Sequence, residues 1–413
     1  MDENNGSTWI GSKENLMKPD SGNHKIKSFI EEKNRTLMGS AIILTNGSLD
    51  SADAKTAHGL IRGTERFDIM GVIDHNSAGL DAGEVLDGVH RNIPVYSNMD
   101  DCLAVQGKKP DYAIIGVALS GGRLNEQWQA LSMDILYYGI SIVNGMHMLL
   151  GDNPIFKKAA LENNVKIIDV RRHKPFDQLH FWSGRIFDMK IPRVAVLGTD
   201  CALGKRTTSR MIVEICENIG LHAEMIYTGQ TGWLQGNPYG FILDTTINDF
   251  VSGEVEAAIV KCEQEAHPDL IVVEGQSGMR NPLGPCGAEI IVSGNIKGVI
   301  LQHTPFREFY DAAEDLGCLL PEIESEIKLI EMYGTKVIAV TLNGIGGNRE
   351  DLDSYARQLE KKTGIPVVCP LEESMEKILS VIQQFIQEHD HLPDTTSMKK
   401  NVYKEADAEN DIG

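Results

Sequence analysis

The sequence predicts two successive α/β domains, each a mostly parallel sheet with helices on both faces. Short apolar runs alternate with segments of helical periodicity from residue 40 to about residue 388, the pattern of sheets built from strand and crossover helix. At 413 residues the chain has room for two or three domains, each with its own core. One apolar run, Val194 to Leu197, passes directly into a glycine-bearing loop and then an amphipathic run, the strand, loop and helix order of nucleotide-binding folds.

Composition narrows the class of partner. The apolar fraction of 42% and the charged fraction of 24% are those of a globular protein. A net charge of −20 argues against nucleic acid and anionic membrane as partners, because both need a basic surface, while leaving room for local pockets that bind small anions. The seven cysteines show no Cys-x-x-Cys spacing, so neither a zinc site nor a disulfide framework is implied. The first twenty residues lack the apolar core of a signal peptide, and no run is long enough to cross a bilayer. The expectation is a cytoplasmic homo-oligomer with reduced thiols, acting on a small-molecule substrate.

Residues 1–36 mix Asn, Ser, Gly, Lys and Glu without periodicity and read as a flexible extension. The first domain, residues 37–180, holds apolar runs at Ala41 to Leu44, Ile69 to Ile73, Ile93 to Val95, Tyr112 to Val117, Ile140 to Val143 and Val165 to Val170. Helical spacing spans Asn125 to Tyr138 and Pro154 to Asn163. This reads as a Rossmann-like domain, with Asp74 closing the second strand where such folds hold a ribose. The glycine fingerprint is missing, since the first strand is followed by Thr45-Asn-Gly-Ser-Leu-Asp-Ser51, and nicotinamide binding is not expected. Polar loops follow the second and fourth strands, at Asp74 to Gly83 and at Ser120-Gly-Gly-Arg123. Arg123 has the fork to clamp a substrate carboxylate, or equally to cap a surface turn. His147 follows the fifth strand, where a structural role is the commoner one.

An aromatic and glycine stretch, His180-Phe-Trp-Ser-Gly-Arg185, marks the boundary to the second domain, residues 181–388; residues 389–413 read as a flexible tail. Strands are expected at Val194 to Leu197, Ala223 to Tyr227, Leu270 to Val273, Gly298 to Leu301, Val337 to Leu342 and Pro366 to Val368. The first leads into Gly198-Thr-Asp-Cys-Ala-Leu-Gly-Lys-Arg-Thr-Thr208. Gly198 and Gly204 let backbone N–H groups turn toward one point, the helix N-terminus adds partial positive charge, and Lys205 adds an ammonium, which together can hold a phosphate. The domain is therefore P-loop NTPase-like and doubly wound, with Thr199, Asp200, Thr207 and Thr208 completing the candidate cofactor-binding set. Two features are unusual: five residues rather than four separate the glycines, and Arg206 stands where a magnesium-binding hydroxyl normally follows the lysine. A plain turn between strand and helix is the competing reading. With the site empty, Lys205 is expected to be solvent-accessible.

Polar loops recur at later strand ends. Thr228-Gly-Gln-Thr-Gly232 offers Gln230 and Thr231 as substrate-binding groups, since glycines let backbone approach a ligand and glutamine both donates and accepts. Glu274-Gly-Gln-Ser-Gly278 places Glu274 to hold a cation, to orient the attacking group, or to cap its loop. His303 is a general base or a packed histidine. Asn343 closes a strand with the donor and acceptor pair of an adenine edge.

Several of these stretches resemble the D-glutamate N-acetyltransferase (DgcN-type) family, long catalogued as a domain of unknown function. They are Gly198 to Thr208, Thr228-Gly-Gln-Thr-Gly232 and Glu274-Gly-Gln276 in the second domain. In the first domain Lys55-Thr-Ala-His-Gly-Leu-Ile-Arg62, Gly71 to Gly88 and Ser120-Gly-Gly-Arg-Leu124 match, followed by His180-Phe-Trp-Ser-Gly-Arg185, all in the family's order. The resemblance covers roughly residues 40 to 385. One departure stands out. Where the family usually reads Glu-Gly-Gln-Gly-Ser followed by His-Pro, this chain has Glu274-Gly-Gln-Ser-Gly-Met-Arg280, losing that histidine and gaining Arg280.

The resemblance implies transfer of an acetyl group from acetyl-CoA to the amine of D-glutamate or a related D-amino acid. That chemistry needs an anion cradle, a base, an oxyanion donor and cations for two carboxylates. Gly198, Gly204, Lys205 and Thr207 would form the cradle; Arg206 or Arg123 would meet a carboxylate, and Arg280 joins the substrate-binding set. Glu274 or His303 would be the base, with Gln276 beside them in the catalytic set. The loop also resembles that of dethiobiotin synthetase, which implies instead an ATP- and magnesium-dependent ligase or carboxylase, with Thr207 on the metal. A non-catalytic sensor of a nucleotide or coenzyme is the third class.

Overall fold

A computed structural model describes residues 37–390. The expected extension at residues 1–36 and the tail from residue 391 lie outside the described residues. The first sheet is built from β1 (Gly39–Leu44), β2 (Phe67–Ile73), β3 (Val95–Tyr96), β4 (Tyr112–Ile115), β5 (Ser141–Asn144) and β6 (Ile167–Asp169). Its strands are all parallel, in the order β3-β2-β1-β4-β5-β6 of dinucleotide-binding folds. Residues two apart share a face: Ile42 and Leu44 join one core cluster, Ala41 and Ile43 the other. A strand buried on both faces has to be apolar throughout, which is why these runs are continuous rather than alternating.

The second sheet comprises β7 (Arg193–Gly198), β8 (Ala223–Tyr227), β9 (Tyr239–Gly240), β10 (Leu270–Glu274), β11 (Gly298–His303), β12 (Lys336–Leu342) and β13 (Val367–Val368). It too is parallel, ordered β13-β12-β11-β7-β10-β8-β9. Ala195 and Leu197 of β7 face one core layer, Val194 and Val196 the other. Strand β9, two residues at the sheet edge, is too short to leave a periodic signal and is the one strand among the described residues that the sequence does not announce. Strand order reverses on either side of β7, so the loops after β7, β10 and β11 converge on one crevice, where open sheets place ligands.

The helices follow local chemistry. Asn98, Asn125, Asn153 and Asn348 each cap a helix by accepting a backbone N–H, the last of these heading a fifteen-residue helix, Arg349–Thr363. The two sheets are tied together by the short helix α1 (Lys55–Ile61) of the first domain. It meets helix α2 (Lys205–Asn218), which follows the glycine loop, and helix α3 (Gln230–Leu234). Leu234 packs within the core of the first domain, and the Gln235 side chain donates to the Gly59 carbonyl at 2.7 Å. Arg66 donates to the Trp233 carbonyl and lies 4.3 Å over its ring, a cation–π contact that adds to the interdomain seam.

Candidate functional site

The loop after β1 is closed by its own chain. The buried Asp74 carboxylate accepts from the N–H groups of Gly47, Leu49, Asn76 and Ser77 and from the Thr45 hydroxyl. Burial opposes its charge, yet these bonds hold it below the usual carboxylate range. Asp74 thus ties the loop after β1 to the loop after β2, and its carboxylate is engaged by protein donors at the position where such folds hold a ribose.

The loop after β7 is different. Ala202 and Gly204 take positive φ, and Gly204 heads α2 with no side-chain cap. The N–H groups of Gly204, Lys205, Arg206 and Thr207 donate to no protein acceptor among the described residues. They form an open N-terminus on a fourteen-residue helix, with a positive end that favours an anion. Gly198 matters because a Cβ there would come within 2.9 Å of the Lys205 stem, which lies across it. Lys205 itself is buried, against the expectation of an accessible lysine: its ammonium donates to the Asp200 carbonyl at 2.6 Å and the Ser277 carbonyl at 2.9 Å. Burial lowers its proton affinity.

Three members of the expected cofactor set hold the loop in place instead of facing a ligand. The Asp200 carboxylate accepts from Arg307 at 2.8 Å, Asp311 N at 2.7 Å and Asn281 at 2.9 Å. The Thr208 hydroxyl donates to Gln302 at 2.7 Å. Asn343 donates to the Leu203 carbonyl at 3.0 Å and accepts from Ile345 N at 3.0 Å, so its amide buttresses the loop rather than waiting for an adenine. Thr199 is buried with its hydroxyl 3.0 Å from His303 Nδ1. Thr207, half-buried on the first turn of α2, keeps a hydroxyl with no hydrogen bond among the described residues.

Glu274, at the end of β10, is buried beside this cradle. Its Oε2 accepts from Thr228 N at 3.1 Å and its Oε1 lies 3.9 Å from Arg206 Nη1. Burial raises its pKa above the ordinary carboxylate value, while Arg206, the Thr228 N–H and Lys205 pull the other way. Gln276 donates to the Thr228 hydroxyl at 3.0 Å, joining the same group. On the other side of β7, His303 is buried between Thr199 and Tyr355, whose hydroxyl is 3.4 Å from Nε2, and burial pushes its pKa down to about 4.

The substrate-binding expectations divide. Gln230 and Thr231 are buried on α3, at the seam with the first domain. Arg123 is exposed on its loop, whose Gly122 packs on the His147 ring. Arg280 turns away: it bonds Glu326 and Ser325, each at 2.6 Å, on helix α4 (Ile323–Met332) rather than joining Glu274. Arg171, Arg307 and Tyr355 were not singled out from the sequence, because each gains its role only from residues remote in the chain. The pair Arg171-Arg172 just beyond a strand end was the one available hint.

Residues 180–379 match the model of the P-loop domain of DUF1611, a domain of unknown function, and residues 75–173 match that family's N-terminal Rossmann-like domain. Two proteins named D-glutamate N-acetyltransferase are similar. The one from Pseudoalteromonas sp is 25% identical over 274 residues, and the one from Tritonibacter scottomollicae 26% identical over 277, each alignment covering 65% of this chain and 80% of the relative. A crystal structure of a DUF1611 family protein from Anabaena variabilis has a TM-score of 0.75 at 25% identity, covering 84% of this chain and 99% of that one. With both domain models matched in order and the two sheets arranged as they require, the chain belongs to the DUF1611 family, a Rossmann-like domain followed by a P-loop domain.

Proposed function

We propose that the protein is an N-acyltransferase that moves an acetyl group from acetyl-CoA to the amine of an acidic amino acid, D-glutamate or a related D-amino acid. The observation that carries the proposal is the open cradle of N–H groups and Lys205 lying beside the buried Glu274, in a chain similar to two D-glutamate N-acetyltransferases. Gly198, Gly204, Lys205, Arg206 and Thr207 receive a coenzyme phosphate. Glu274 takes a proton from the acceptor ammonium, a task suited to a carboxylate whose pKa is raised by burial. The freed amine attacks the thioester carbonyl, a C–N bond forms, the nitrogen sheds its surplus proton as the C–S bond breaks, and the coenzyme leaves as a thiolate that takes up that proton. Gln276 has a second amide N–H to offer the developing oxyanion. His303, with its pKa near 4, is a weaker base and stays neutral within the fold.

Thr207 motivates a second reading. Its unengaged hydroxyl lies on the first turn of α2, where P-loop enzymes hold magnesium, and ATP-dependent ligation of the dethiobiotin synthetase kind would use it. Calorimetry with acetyl-CoA and with ATP and magnesium, each alone, separates the two. Acetyl-CoA binding, with chelator-insensitive formation of an N-acetyl amino acid from D-glutamate, is the expected result. Binding of ATP and magnesium alone would overturn the acyltransferase reading.

A further inference from the structure

Arg171 lies two residues beyond β6 of the first domain, its side chain only 10% exposed. Its Nε donates to the Gly145 carbonyl at 2.6 Å, Nη1 to His147 Nε2 at 2.8 Å, and Nη2 to Gln230 Oε1 of the second domain at 2.8 Å. All three acceptors are neutral; burial and Arg171 itself hold His147 below its ordinary pKa, although Asp244 pulls upward. The anion that answers the guanidinium is Asp244, which also accepts from Nη1. Asp244 sits on a short turn, Leu243–Thr245, with its side chain 40% exposed. A largely shielded arginine oriented by neutral partners, and matched to a carboxylate from an exposed turn, has the form of a carboxylate site filled from within.

The cluster adjoins the reaction groups. A Cβ on Gly229, next to Gln230, would come within 2.8 Å of Gln276 Nε2. Gln276 bonds Thr228, whose N–H bonds Glu274. Resting on the proposed transfer to an acidic amine, we infer that Arg171 binds a carboxylate of the acceptor and that Asp244 is the internal stand-in which that carboxylate displaces.

Removing the stand-in should help the ligand, and reshaping the fork should hurt it. Calorimetry with glutarate, with D-glutamate and with acetyl-CoA tests this on the parent, Asp244→Asn and Arg171→Lys. Asp244→Asn is expected to bind glutarate about fivefold to tenfold more tightly, a gain that a folding defect cannot produce. Arg171→Lys keeps the charge but loses the planar fork, and is expected to bind glutarate at least about tenfold more weakly. Acetyl-CoA affinity should change less than about twofold in both. Glutarate affinity unchanged in either variant would overturn the inference. So would a parent that binds acetyl-CoA but neither dicarboxylate, which would leave the coenzyme part of the proposed function standing. The expected variant pattern with no acetyl-CoA binding would support the carboxylate site and sink the acyl transfer.

Discussion

Arg206 Nη1 lies 3.9 Å from Glu274 Oε1, and the same guanidinium reaches the first domain, where a Cβ on Gly59 would come within 2.9 Å of its Nη2. One arginine therefore sets both the charge beside the candidate base and part of the contact between domains. Arg206→Ser removes a positive charge that holds Glu274 down, so the Glu274 pKa should rise further. A base works above its pKa and fails as pH falls through it. The acid limb of kcat/KM should accordingly move to higher pH in the serine variant, with lower activity at neutral pH and no sensitivity to a magnesium chelator. Serine-variant activity that is intact and needs ATP with magnesium would contradict this.

Glu274→Gln should lower kcat by about a hundredfold to ten-thousandfold, the usual reach of general-base catalysis, and remove the acid limb from the pH profile. Acetyl-CoA binding, measured by calorimetry, should persist. A variant that keeps near-parent kcat would shift the role of base elsewhere.

Lys205→Ala has two expected effects, because the ammonium fastens its loop and, in the proposed function, also meets the coenzyme phosphate. Losing its bonds to the buried Asp200 carbonyl and the half-buried Ser277 carbonyl leaves these acceptors unpaired, a cost of about 1 to 3 kcal/mol in denaturant unfolding. Losing the charge should weaken coenzyme binding about tenfold to a hundredfold. Lys205→Met, which keeps the stem over Gly198, should recover part of the packing but none of the affinity. Equal affinity in folded variants and parent would make the loop a turn and nothing more.

His303 predicts acid sensitivity. Its pKa is about 4 in the fold against 6.5 when unperturbed, so the unfolded chain binds the extra proton first. Stability from this group is complete above the unfolded value and is lost as pH falls from about 6.5 toward 4, by up to about 3 kcal/mol. His303→Gln should show a smaller drop in urea midpoint between pH 7 and pH 4.5 than the parent. An identical drop would mean that other groups govern acid unfolding.

Gly59→Ala tests the domain seam. Alanine favours a helix over glycine by about 0.5 to 1 kcal/mol. Here its Cβ would meet Thr231 Cγ2 at 2.7 Å as well as Arg206, so the helix gain should be outweighed. The expected outcome is lower activity and a lower unfolding midpoint; a more stable, fully active variant would show that the seam yields freely.

The sequence determined by itself whatever is written in neighbouring residues. Continuous apolar runs such as Val194 to Leu197 announced strands buried on both faces, and the groups of the glycine loop, Gly198 to Thr208, lie within eleven consecutive positions, where the order of strand, loop and helix is visible in the sequence. Tertiary structure alone decided which polar groups are left for a ligand. Asp200 meets Arg307 across 107 positions, Thr208 meets Gln302 across 94, and Arg171 meets Gln230 across 59, so the partners that retire or assemble these side chains leave no local pattern. Lys205 and Asn343 show the same limit: their donors were legible, but the Ser277 carbonyl that holds Lys205 and the Leu203 carbonyl that holds Asn343 come from loops brought together by strand order. Hydrophobic periodicity specifies an element because it repeats within one turn or one pleat, whereas a hydrogen bond between distant loops depends on how the finished sheets pack.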